Sequence, residues 1–202
     1  MKETEEDSYL TITEHSTGVY KEKGSKFLAF AYPVSSEEAV KTHIATLKKK
    51  YYDARHHCFA YIIGRNEQYV RANDDGEPNN SAGPPILGQI RSKGLINTLV
   101  VVVRYFGGTK LGVGGLIHAY KTAASEALEA NHTETRHFSR VLQATFEYPV
   151  MNGIMKVVKD FDLPIVAQDF NMTCTIKLNV REKFLETVRH KLADFSKVEL
   201  LD

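Results

Sequence analysis

The apolar run Leu99 to Val103, LVVVV, is followed at once by Arg104 to Gly115, RYFGGTKLGVGG, and then by a helix-periodic segment from Leu116 to Ala130. A buried strand, a turn holding five glycines and a long helix are what this order predicts. In such a turn the backbone N–H groups converge at a helix N-terminus, where the helix dipole adds partial positive charge. The turn can therefore hold a phosphate or a carboxylate. A second reading stays open, in which the glycines only permit left-handed turns and close packing of helix on sheet. Two familiar loops are excluded. GGTKLG lacks the Lys-Ser or Lys-Thr of a P-loop, and Gly112 and Gly114 begin a dinucleotide fingerprint that Ile117 breaks.

The last third of the chain fixes a second unit. Leu142, Ala144, Phe146 and Tyr148 alternate with polar residues, which predicts a half-buried strand over 141–148. Val150, Ile154, Val157, Val158 and Phe161 follow at helical spacing, then a short apolar strand from Leu163 to Gln168 and a turn at Asp169-Phe-Asn171. Met172, Cys174, Ile176, Leu178 and Val180 alternate again. Phe184, Leu185, Val188, Leu192 and Phe195 form a helix face, and Val198 to Leu201 a last strand. The order β-α-β-β-α-β is that of ferredoxin-like folds. The polar connection Asn131 to His137, NHTETRH, predicts the boundary, giving domains 1–134 and 135–202.

Ahead of that boundary, strands are expected at Tyr9–Thr13, Phe27–Pro33, Cys58–Ile63 and Leu99–Tyr105. A helix is expected over Ser36–Lys50, with Ser35 and Glu38 spaced as a capping box, and a shorter one after Ser81. Early strands with later helices suggest an α+β domain whose helices cover one face of the sheet. A 202-residue chain with 43% hydrophobic and 25% charged residues and a net charge of +1 reads as an ordinary folded protein of one or two domains. The acidic start MKETEEDSYLTI has no apolar signal core, and no run reaches the ~18 residues of a membrane span. Two cysteines, Cys58 and Cys174, are too few for a disulfide framework. A cytoplasmic protein without membrane contact is the expectation.

Charge distribution favours a ligand at the glycine turn. From Pro78 to Ser125 there is no Asp or Glu, while Arg91, Lys93, Arg104, Lys110 and Lys121 all fall inside. If all five met RNA phosphates, affinity would fall with log salt at a slope of roughly −3.5. Just upstream, Asp74, Asp75 and Glu77 stand within four residues. They suit Mg²⁺ shared with a substrate phosphate, or a solvated Asp-Gly turn, or pairing with Arg104 or Lys110 that braces the loop. In Asp53-Ala-Arg-His-His-Cys58, a strand puts His56 and Cys58 on one face and His57 on the other. A Cys-His nucleophile there lacks an orienting group and an oxyanion hole, and a buried, inert thiol is the plainer reading for both cysteines. Lys48-Lys-Lys50 reads as helix-terminal complementation of the dipole.

Taken together, Gly24-Ser-Lys-Phe27, Asp53-Ala54 with His56, Asp74-Asp-Gly-Glu-Pro78, Ala82-Gly83, Arg104-Tyr-Phe-Gly-Gly108, Lys110-Leu-Gly112 and Gly114-Gly-Leu116 resemble the signature of the IMPACT family in its bacterial YigZ-type branch. The resemblance implies a ribosomal protein S5 domain 2-like fold for the N-terminal domain. It implies that the C-terminal domain is similar to the last domain of elongation factor G. Eukaryotic members are regulators of translation that act through a protein partner on a starvation-responsive kinase pathway, a stress response. Two positions depart from the family pattern: Asn79-Asn80-Ser81 stands where Ser-Gly-Thr is usual, and His118 where Arg is usual.

The function expected from residues and resemblance together is a non-catalytic, translation-associated regulator that contacts RNA or the ribosome. Its anion site would comprise Arg104, Gly107, Gly108, Lys110, Gly112, Gly114 and His118, with Asp53, His56, Asp74, Asp75 and Glu77 beside it. No resident cofactor is expected; the only metal considered is Mg²⁺ on Asp74, Asp75 or Glu77. The alternatives are a Mg-dependent enzyme acting on a phosphorylated or nucleotide substrate, and a protein-interaction regulator with no anion ligand.

Overall fold

The computed structural model describes residues 7–171 and 173–201. In chain order, the first unit holds β1 (Ser8–Ile12), β2 (Ser16–Glu22), β3 (Ser25–Pro33), α1 (Glu37–Lys50), β4 (His56–Ile63), β5 (Tyr69–Asn73), α2 (Gly83–Ser92), β6 (Thr98–Tyr105), α3 (Gly112–Glu129) and β7 (Thr133–His137). β6 is the centre of a five-stranded sheet in the order β2-β3-β6-β4-β5, and its neighbours β3 and β4 both run antiparallel to it.

Both parities of the central strands are apolar, so both faces of the sheet need cover. One face carries Phe27, Ala29, Cys58, Ala60, Val100 and Val102 beneath α2 and α3, which contribute Ile86, Ile90, Leu116, Tyr120 and Ala123. The other face carries Phe30, Phe59, Tyr61, Leu99, Val101 and Val103 beneath Val40 and Leu47 of α1. The expected one-sided cover is therefore corrected: α1 lies across the sheet from α2 and α3. A Tyr61 hydroxyl that donates to Glu37 ties α1 to its face. The helix is capped one residue later than expected. Ser36, in extended conformation, accepts the Ala39 amide at 3.2 Å, and Ser35 is not the cap.

Three strands go unread in the sequence because they bury little. β2 turns Ser16 and Gly18 inward, residues without an apolar signal. β5 is a largely exposed edge strand. β7 occupies most of the polar stretch expected to be a connection, pairing with β1 in a separate two-stranded sheet. The chain divides after Arg136: residues 9–136 form one compact unit, and residues from 137 onward form the other together with Asp7 and Ser8.

In the second unit, β8 (Ser139–Phe146), α4 (Met151–Asp160), β9 (Ile165–Phe170), β10 (Cys174–Arg181), α5 (Leu185–Ala193) and β11 (Glu199–Leu201) follow the βαββαβ order, with the antiparallel sheet order β11-β8-β10-β9. Its core joins Leu142, Phe146, Ile176 and Leu178 to Ile154, Val158, Val188 and Leu192 of the two helices. Asp169 and Phe170 belong to β9, so the expected turn starts later. Met172 and the acidic stretch through Glu6 lie outside the described residues. Asp7 is buried and accepts from the Arg181 guanidinium at 2.9 Å, which holds its carboxyl below the usual carboxylate range. The protein is thus α+β with two domains, the second ferredoxin-like.

Candidate functional site

Strand register brings the first site residues together. Phe27 of β3 pairs across to Arg104 of β6, and Arg104 pairs across to His56 of β4. These three form one row at the end of the sheet, on the face beneath α3. Inward from that row, Tyr120 of α3 packs edge-on against Phe27 at 5.1 Å, and its hydroxyl donates to Glu77 at 2.8 Å. Arg104 donates from Nη1 to the same Glu77 oxygen at 2.6 Å, with the two side chains only 8% and 4% exposed. Of the readings open for these acids, Glu77 takes the bracing one. The Arg104 guanidinium also lies over the Phe27 ring, 5.5 Å from its centroid, and 5.7 Å from that of Phe106.

The neighbouring acids are engaged separately. Asp74 accepts the amides of Asn80, Ala82 and Gly83 at 2.8–2.9 Å, which caps the start of α2. Asp75 accepts the His57 amide at 2.7 Å and pairs with Lys48 at 3.4 Å. Among the described residues, no three His, Cys, Asp or Glu side chains gather where a metal ion would fit. Asp53 accepts from the Tyr105 hydroxyl at 2.7 Å, away from the row. Cys58 is wholly buried, its sulfur 3.0 Å from the Asp74 carbonyl oxygen and 3.3 Å from the Tyr120 hydroxyl. Burial pushes the Cys58 thiol far up, and burial with the nearby thiol and Glu77 does the same to the Tyr120 phenol, so neither group is a nucleophile or proton carrier near neutrality. His56 Nδ1 lies 2.9 Å from the Asp75 carbonyl oxygen, which makes it the protonated nitrogen of the neutral ring.

The glycines divide by task. A Cβ on Gly107 would sit 1.9 Å from the Gly24 carbonyl carbon, so this residue lets the loop touch the β2–β3 turn, where its N–H donates to Ser25 Oγ at 3.1 Å. Gly108 has open space around it and φ of +88°, so its need is conformational. The Asn80 departure is accommodated in the same way, because Asn tolerates its φ of +63°. Ser81 keeps a hydroxyl, which donates to the Pro78 carbonyl at 2.6 Å.

A cleft of about 470 Å³ opens between this row and the start of α3. His56, Glu77, Arg104, Lys110 and Gly112 line it, as the sequence predicts for one shared site. Arg55, Phe106, Leu111, Val113 and Leu116 also line it and were missed. Phe106 lay inside the glycine motif with its 52% exposure unreadable, and Arg55 lay inside the histidine cluster. Gly107, Gly108, Gly114, Asp53, Asp74, Asp75 and His118 are not among its walls. His118 stands edge-on to Tyr20 of β2 at 5.7 Å and is not among the walls of the cleft.

The basic segment is also corrected. Arg91 pairs with Glu67 at 2.6 Å, Lys93 with Glu129 at 3.3 Å and Arg104 with Glu77, so acids distant in sequence neutralise three of the five cations. Lys110 and Arg55 are exposed on the cleft and have no ion-pair partner among the described residues. The first turn of α3 has no side-chain cap, and Gly112 and Val113 at its start line the same cleft.

These features define a two-domain α+β protein with a brace of buried charge under a half-apolar, cation-rimmed cleft. The family model described as the Impact N-terminal domain matches residues 23–128, which span the cleft and its brace. The IMPACT family member YvyE of Bacillus subtilis (strain 168) is 34% identical over 176 residues, covering 87% of this chain and 81% of the relative. The IMPACT family member YigZ of Escherichia coli (strain K12) is 31% identical, covering 96% of each. A crystal structure of a hypothetical protein, 31% identical, matches with a TM-score of 0.75 over 96% of this chain and 97% of that one. The chain belongs to the IMPACT family.

Proposed function

We propose that this IMPACT-family protein is a translation-associated regulator that binds RNA, free or on the ribosome, through the cleft beside the Arg104–Gly115 loop. The observation that carries this reading is the meeting of Lys110, Arg55 and the uncapped start of α3 on a single cleft with the half-exposed Phe106. Cations and helix amides suit phosphate, and an exposed aromatic ring suits a base. The family resemblance supplies the link to translation. Arg104, expected as a phosphate contact, serves first as the partner of Glu77.

A Mg-dependent enzyme would need carboxylates free to hold the ion. Asp74 and Asp75 are spent on backbone amides and Lys48, and Glu77 on Arg104 and Tyr120. The geometry therefore favours binding over catalysis.

Cosedimentation with ribosomes and separated subunits across a salt series tests the proposal. Association at low salt that weakens as salt rises, and weakens further in Lys110→Ala, is the expected result. Salt-independent association would point to a protein contact, and no association at low salt would remove the reading.

A further inference from the structure

Resting on that reading, we infer that the cleft is a seat for one unpaired nucleotide, with its base against Phe106 and its phosphate at Lys110 and the first turn of α3. The size sets the first limit. About 470 Å³ suits a single small ligand, and a base is free to enter only where it is unstacked from its neighbours.

The polar side of the cleft supplies the second argument, independent of the helix end. Arg104 forms part of the wall with its side chain 8% exposed, and its Nε has no hydrogen-bond partner among the described residues. That nitrogen is itself buried, so Arg104 acts on a ligand in the cleft through its charge and not through a hydrogen bond from Nε. Glu77 lines the same cleft and accepts from Arg104 Nη1, so that pair is balanced, and the unpaired positive charge on the cleft among the described residues is that of Lys110 and Arg55. Lys110 and the uncapped start of α3 lie on the same cleft, so the anion-binding groups converge.

The apolar side matches the rest of a nucleotide. Phe106 is 52% exposed although the Arg104 guanidinium lies over its ring at 5.7 Å from the centroid, so about half of the side chain is left for a base to meet. Leu111, Val113 and Leu116 continue the apolar wall toward α3. Inorganic phosphate would use only half of these groups. A nucleoside monophosphate uses both.

Proton NMR of adenosine 5′-monophosphate titrated with the full chain tests this, with inorganic phosphate and a single-stranded RNA heptamer as parallel probes. The expected result is an upfield ring-current shift of the adenine ring protons that disappears in Phe106→Ala and persists in Phe106→Tyr. Affinity for the nucleotide should fall roughly 5- to 150-fold in Phe106→Ala, the range of one lost base stack. Competition by inorganic phosphate as effective as that by the nucleotide would overturn the inference, because the base would then contribute nothing. So would heptamer binding that Lys110→Ala weakens and Phe106→Ala does not, although the RNA reading would survive. Nucleotide binding with the ring-current shift but no heptamer binding would uphold the seat and sink the RNA reading instead.

Discussion

Arg104 and Glu77 hold each other at 2.6 Å in the wall of the cleft, with side chains only 8% and 4% exposed. Taking two charges out of water costs several kcal/mol each, and removing only one partner leaves the other uncompensated. Arg104→Ala is expected to lower stability by about 3–5 kcal/mol, read from chemical denaturation, and the double variant with Glu77→Leu to recover part of that loss. A loss in Arg104→Ala no larger than that of an exposed lysine would contradict the brace. Gly107 and Gly108 should differ although they are adjacent. Gly107→Ala must force the β2–β3 turn aside and costs more than Gly108→Ala, where only the left-handed backbone resists, at about 1 kcal/mol. The sequence shows that Arg104 and Glu77 are special and cannot show that they face each other. Twenty-six other residues lie between them, and only the pairing of β6 with its neighbours brings them together.

Helix ends and strand edges are where elements are set. Asp74 accepts three amides at the start of α2, so Asp74→Ala should destabilise the protein by about 2 kcal/mol, at the high end for a lost cap. Asp74→Asn, which keeps an acceptor oxygen, should cost less. The meeting of β4 with the end of α1 also predicts a pH response. His57 is buried there, and burial lowers its pKa below the ordinary 6.5 against an opposing pull from Asp75. The unfolded chain therefore takes up the proton first. Stability should be full above about pH 6.5 and decline as pH falls below it, with a shallower decline in His57→Asn, measured by thermal unfolding. Elements with a dense apolar period, such as β6, α3 and the whole second unit, are legible in the sequence. β5 and β7 are not, because an exposed strand is held by backbone pairing that leaves no hydrophobic trace.

At the scale of the molecule, charge counted along the chain misleads. The acid-free segment from Pro78 to Ser125 suggests five cations facing a polyanion. Folding returns Glu67, Glu77 and Glu129 to three of them, and Lys110 joins Arg55 on the cleft. The salt dependence expected for RNA is correspondingly smaller: two phosphates neutralised on a single strand give a slope of about −1.4 in log affinity against log salt, not −3.5. The decisive measurement is that slope for a single-stranded RNA, taken for the wild-type chain and for Lys110→Ala. The account predicts about −1.4 falling to about −0.7. A slope that Lys110→Ala leaves unchanged would place the RNA elsewhere and contradict the cleft as its site.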